Sequence, residues 1–222
     1  MVHKRLVVFD IDGTLTRTAD IDEVCYVAAI REVLSIADMD TDWTHYPHVT
    51  DSAILRQVVQ LSLRRDVLVE EMDRVRQCFR QNLEDAFRRQ PRSCLPVDGG
   101  PEMLRQLAGV AVALATGGWE STARLKLERA GYDIRDIPLA SSSDADTREE
   151  IMRIAELRAR EKHGVTGFET ITYVGDGVWD ARAAANLGWR FVGVGTGEQA
   201  ARLEREGAIA VIDHYPRGSF LP

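Results

Sequence analysis

The chain has 222 residues, with 28 Lys or Arg against 35 Asp or Glu and a net charge of −7. That length suits one large domain, or one domain with a sizeable insert, and excludes a disulfide miniprotein. The acidic balance disfavours nucleic acid and anionic membranes as partners, while 45% hydrophobic and 28% charged residues describe a cored globular protein rather than a disordered one.

The first predicted strand is RLVVFD, Arg5 to Asp10. Its apolar stretch is too short for a signal-peptide core or a membrane span, so a cytoplasmic location is expected. The run opens into Asp10-Ile11-Asp12-Gly13-Thr14. Carboxylates at alternate positions can face one pocket. There they repel each other unless a cation intervenes, which favours a hard divalent metal. A lone DxD can equally cap a turn, with one carboxylate left in solvent.

None of the 17 glycines falls between Thr14 and Asp98. This stretch contains DIDEVCYVAAIREVLSIA, TDSAILRQVVQLSLRR and LVEEMDRVRQCFRQNLEDAFRRQ, whose apolar residues recur at three and four spacings. Three or four amphipathic helices are predicted, starting at Asp20 for the first and at Thr50 or Asp51 for the second. The segment ends at the turn-rich PRSCLPVDGGP. Cys25, Cys78 and Cys94 are an odd number at wide spacings, so free thiols are expected rather than disulfides or a zinc site.

The remaining runs are VAVALAT, IPLAS, TITYVGD, RFVGVG and AIAVID. Their continuous apolar character predicts strands buried on both faces. The fold class that follows is α/β, a doubly wound, mostly parallel sheet of Rossmann-like form with an inserted helical unit, and ligands in such sheets sit beyond the carboxyl ends of strands. VAVALAT leads into Thr116-Gly117-Gly118, a weak candidate for a phosphate cradle. Arg148 begins a helix after IPLAS and could bind phosphate oxygens. TITYVGD places Asp176 at a strand end, and Asp180, four residues on, falls on the same side of a helical turn; helix capping by Asp176 is the competing reading. GVGTGEQA lacks the GxGxxG pattern, which argues against a dinucleotide.

With these landmarks in order, the sequence resembles the haloacid dehalogenase-like hydrolase superfamily, in its phosphoglycolate-phosphatase-like branch with a helical cap after the first motif. DIDGT at 10–14 resembles the first motif, Thr116 the second, Arg148 the third and Gly175 to Asp180 the fourth. The resemblance implies a core domain of residues 1–15 and 94–222 and a cap of residues 16–93. It implies a phosphatase in which Asp10 is the nucleophile, forming an aspartyl phosphate, and Asp12 the acid and base. Asp10, the Asp12 carbonyl and Asp176 would hold Mg²⁺ with support from Asp180, while Thr116, Gly117 and Arg148 would bind the phosphoryl group. The implied partner is a small phosphorylated metabolite, without nucleic acid or membrane, and the chain would be a monomer or homodimer.

Two departures sharpen this reading. The third motif is most often lysine, whereas Arg148 stands here; Lys126 is read as a surface-helix residue and Lys162 lies too late in its helix. The lysines are Lys4, Lys126 and Lys162, so the insert has none, which argues against the phosphonate-cleaving members and their cap lysine. Asp12 in turn argues against a dehalogenase. Substrate selection would fall to the loop Trp43 to Asp51, where His48, Thr50 and Asp51 could contact a leaving group and Arg17 or Arg56 a second anion. Helix capping explains Thr50 and Asp51 equally well. Trp119 and Trp179 could wall the pocket or pack against the cap. A phosphosugar mutase and a receiver-like phosphoaspartate signalling module are the alternative functions.

Overall fold

The computed structural model describes residues 5–107 and 109–216. All six apolar runs form strands: β1 (Arg5–Phe9), β2 (Ala111–Ala115), β3 (Leu139–Ala140), β4 (Thr170–Gly175), β5 (Arg190–Val194) and β6 (Ala210–Ile212). They make one parallel sheet in the order β3-β2-β1-β4-β5-β6. β1 lies at its centre, with Leu6 opposite both Ala111 and Ile171. Side chains alternate between faces along a strand. Val7 and Phe9 accordingly join one buried cluster, while Leu6 and Val8 join another on the opposite face. Continuous apolar runs are what such two-sided burial requires. β3 is cut to two residues at the sheet edge, beside Pro138, which has no N–H for a ladder.

Between β1 and β2 the glycine-free stretch folds into α1 (Ala19–Leu34), α2 (Asp51–Leu63) and α3 (Val69–Arg89), followed by the short α4 (Gly100–Gln106). Tyr26, Ala29 and Ile30 form the buried stripe of α1, and Val75, Phe79 and Leu83 that of α3. The Tyr26 and Phe79 rings meet edge to face at 5.4 Å. α1 begins at Ala19 rather than behind an Asp20 cap; the flanking Thr18 makes no side-chain capping bond, and its hydroxyl donates to Asp12 Oδ1 at 2.5 Å. α2 begins as expected: the Thr50 hydroxyl accepts from the Ala53 N–H at 3.3 Å.

The two chain segments joining this helical unit to the sheet lie side by side. Arg17 N–H donates to Leu95 O at 2.8 Å, Val97 N–H donates to Leu15 O at 2.8 Å, and Thr16 bridges antiparallel to Pro96. The second half of the chain alternates strands with α5 (Glu120–Arg129), α6 (Arg148–His163), α7 (Val178–Leu187) and α8 (Gly197–Arg205). The three cysteines are free thiols. Among the described residues no helix is long and apolar enough to cross a membrane.

Candidate active site

β1 and β4 end next to each other, and this adjacency brings the two acidic motifs together. Asp10 extends the ladder by one step, its N–H donating to Val174 O at 2.9 Å. The chain then turns through Gly13, held by Gly13 N–H to Thr16 O at 2.8 Å and Leu15 N–H to Ile11 O at 2.8 Å. Gly13 is required twice over. Its φ is +75°, and a Cβ there would lie 2.1 Å from Asp176 Oδ2. Asp180, in the first turn of α7, accepts from the Gly177 N–H at 3.0 Å, which turns its carboxylate back toward β4.

Asp10, Asp176 and Asp180 each present a carboxylate oxygen, all within 4.8 Å of one another. Burial pushes Asp10 up to about 7, with Asp180 and Asp12 adding to the rise and Arg148 opposing it. Burial, Asp10 and Asp180 push Asp176 well above the ordinary carboxylate range. Three crowded, hard oxygen donors, Asp10 and Asp180 buried and Asp176 half-buried, with too little positive charge among them fit a divalent cation of the calcium or magnesium kind.

Arg148 opens α6, where Thr147 caps the helix by accepting from the Glu150 N–H at 3.3 Å. Its Nη1 donates to Asp10 Oδ1 at 2.9 Å and stands 3.1 Å from Asp180 Oδ1. Its Nε donates to Val49 O at 3.2 Å. Gly117 makes this approach feasible, since a Cβ there would lie 2.6 Å from Val49 O and 2.7 Å from Arg148 Nη2. Thr116, at the end of β2, is buried and accepts from the Gly118 N–H at 3.1 Å. The cavity thus gathers Asp10, Asp12, Thr116, Gly117, Arg148 and Asp176.

Lys126 corrects the sequence reading. It is fully buried in α5, and its Nζ donates to Asp12 Oδ2 and to Asp22 Oδ1, both at 2.5 Å. Burial alone would lower the pKa of this ammonium, but Asp12 and Asp22 outweigh it and hold it above the ordinary lysine range. Charge spacing along one helix cannot reveal partners contributed by α1 and the β1 loop. Asp22, missed as a site residue, carries no sequence signal beyond its place in an acidic first turn.

Of the loop residues, Thr50 and Asp51 line the cavity and also serve the helix start. The Asp51 carboxylate accepts from the Trp119 N–H at 2.8 Å, while Asp51 N–H donates to Gly117 O at 2.8 Å. Ser52 Oγ donates to Ser142 O and accepts from Trp119 Nε1, each at 2.8 Å. Trp119 therefore packs against the insert, whereas Trp179 lines the cavity. His48 opens onto a neighbouring depression. Arg17 lies outside the cavity, half exposed and 3.4 Å from Asp98, and Arg56 pairs with Asp146 at 3.4 Å. Neither arginine lines the cavity, and both side chains are about half exposed.

The family model for haloacid dehalogenase-like hydrolases matches residues 4–188. No curated protein matches in sequence. Solved structures with the same fold include a hydrolase from Pseudomonas syringae, 24% identical over 94% of this chain and 93% of that one, with a TM-score of 0.66. A predicted phosphoglycolate phosphatase from Haemophilus somnus 129pt is 16% identical over 96% and 94% of the two chains, with a TM-score of 0.64. CbbY from Rhodobacter sphaeroides, solved in complex with phosphate, is 18% identical over 94% and 93%, with a TM-score of 0.68. With its acidic motifs meeting at the carboxyl edge of a parallel sheet and the family model spanning most of its length, the chain belongs to the haloacid dehalogenase-like hydrolases.

Proposed function

We propose that the chain is a Mg²⁺-dependent phosphatase that hydrolyses a small soluble phosphomonoester through an aspartyl phosphate on Asp10. The observation that carries this reading is the grouping of the Asp10, Asp176 and Asp180 carboxylates with Arg148 bridging Asp10 and Asp180, while Asp12 projects into the same cavity. Asp10, the Asp12 carbonyl and Asp176 would hold Mg²⁺, with Asp180 supporting them. When bound, the ion offsets the repulsion between an anionic nucleophile and an anionic ester.

A carboxylate oxygen of Asp10 bonds to phosphorus as the bond from phosphorus to the leaving oxygen breaks, and Asp12 supplies that oxygen with a proton. Water then attacks the phosphorus, Asp12 takes its proton, and the bond from phosphorus to Asp10 breaks, releasing inorganic phosphate. Thr116, the Gly117 N–H and Arg148 hold the phosphoryl oxygens. Lys126 and Thr18 fix the Asp12 carboxylate in place, since each hydrogen-bonds one of its two oxygens. The helices within residues 16–93 act as a cap over the core of residues 1–15 and 94–222 and keep bulk water from the acyl phosphate.

The test is phosphate release from a panel of phosphorylated metabolites, with Mg²⁺ and with chelator. Multiple turnovers that require the ion support the reading. A phosphorylated Asp10 that persists without release rejects it in favour of signalling, and transfer of the phosphoryl group to a second hydroxyl rejects it in favour of a mutase.

A further inference from the structure

A leaving group would lie beside the carboxylates that a divalent cation at Asp10, Asp176 and Asp180 would leave unneutralised. Asp12, Asp22, Glu23 and Asp51 all line the cavity; Asp12 and Asp22 share Lys126, and Asp12 Oδ2 and Asp51 Oδ2 both lie 3.8 Å from where a Cβ on Gly118 would stand. Among the described residues, the one cation hydrogen-bonded to this set is Lys126, which is divided between Asp12 and Asp22. Glu23 accepts from Trp43 Nε1 at 3.1 Å and Asp51 from the Trp119 N–H at 2.8 Å, both neutral donors. Burial, with Asp12 adding to it, pushes Asp51 up to about 7 against the pull of Lys126, the Trp119 N–H and Arg148.

Two aromatic rings complete the wall. Tyr26 and Trp43 both line the cavity, with centroids 6.4 Å apart in an edge arrangement. Their π faces attract cations and are indifferent to anions. Arg17 and Arg56 are not among the residues that line the cavity, and each lies 3.4 Å from an acid, Asp98 and Asp146. The cavity, of about 160 Å³ and partly open to solvent, has room for a phosphoryl group and a small leaving group.

Building on the phosphatase reading, we propose that the substrate is the phosphomonoester of a small amino alcohol, its ammonium held by Glu23 and Asp51 beside the rings of Tyr26 and Trp43. The positive leaving group supplies the charge these carboxylates lack, through charge-assisted hydrogen bonds and ring contact. A leaving group ending in a carboxylate meets the same unbalanced acids and is repelled.

The experiment compares kcat/KM, with Mg²⁺, for three esters of similar size: phosphoethanolamine (cationic), ethyl phosphate (neutral) and phosphoglycolate (anionic). p-Nitrophenyl phosphate reports generic phosphatase activity. Phosphoethanolamine should exceed ethyl phosphate by roughly tenfold or more, the scale of one charge-assisted contact, with phosphoglycolate slowest. In Glu23→Gln and Asp51→Asn the ratio of phosphoethanolamine to ethyl phosphate should fall toward one, and in Glu23→Lys the order of the charged esters should reverse. Equal rates for the three esters, or a preference for phosphoglycolate, overturn the assignment while leaving the phosphatase reading standing. No phosphate from any of the four overturns both.

Discussion

The two basic residues nearest the chemistry sit in opposite circumstances. Arg148 lines the cavity, bridges Asp10 and Asp180, and keeps 11% of its side chain exposed; Lys126 is sealed at 0% and shared between Asp12 and Asp22. An arginine at the surface of a pocket can turn its fork of donors toward an arriving oxyanion. A sealed ammonium that does not line the cavity is out of a ligand's reach. On the proposed reading, the contrast separates a group placed to receive phosphate from one that keeps an acid and base in position, although both are cations beside aspartates.

The sharpest way to break the comparison is to remove the group that Arg148 faces. Asp10→Asn should abolish turnover, by roughly a thousandfold or more where a nucleophile is lost, while circular dichroism and melting remain close to those of the parent. Near-parental phosphate release would dismiss the nucleophile assignment. Next comes Lys126→Met, which leaves Asp12 and Asp22 buried against each other. Breaking a buried pair from one side costs about 3–5 kcal/mol, readable as a lowered denaturant midpoint. Asp22→Asn added to it should restore part of that loss. A Lys126→Met protein as stable as the parent would show that the ammonium is not the counter-charge described.

Arg148→Ala should cost less, because it removes charge-assisted hydrogen bonds worth about 1.5–3 kcal/mol, and the expected signature is a raised KM together with a lowered kcat. Unchanged kinetics would move phosphate binding to another residue. The smallest effect concerns pH. Asp10 and Asp51 are each raised from an ordinary value of 3.8 to about 7 in the folded protein. Across that interval the native state binds more protons than the unfolded chain, so their contribution to stability is present below pH 4 and is lost as the pH rises toward 7. Without metal, this term should lower the melting temperature over that range. Added Mg²⁺ should raise the melting temperature more at pH 8 than at pH 5, and equal shifts at the two pH values would count against a metal held by ionised carboxylates.

Much of the fold could be read along the chain because each strand of a sheet buried on both faces is a nearly uninterrupted apolar run, and the runs of β1, β2 and β4 end in polar residues that line the cavity. Asp10, Asp12, Asp176 and Asp180 are legible for that reason. The features that were not legible depend on pairing across distance. Lys126 reads as one charge among Arg124, Glu128 and Arg129, and only the packing of α5 against α1 and the β1 loop makes it interior. α1 starts at Ala19, and the Thr18 hydroxyl before it donates to Asp12 rather than capping the helix. Arg17 shows the converse case: close in sequence to the motif, it is drawn outward by Asp98.

The paired connectors carry a mechanical consequence. Strands leaving and re-entering the sheet through Leu15 to Arg17 and Leu95 to Val97 are zipped to one another by backbone hydrogen bonds. Two independent tethers would let the helices slide, roll and swing; fused into a single ribbon, they resist translation and concentrate any opening into a swing about one axis. On the proposed reading, in which the helices of residues 16–93 open and close over the core, such a hinge would return Asp22, Glu23 and Asp51 to the same place at each closure.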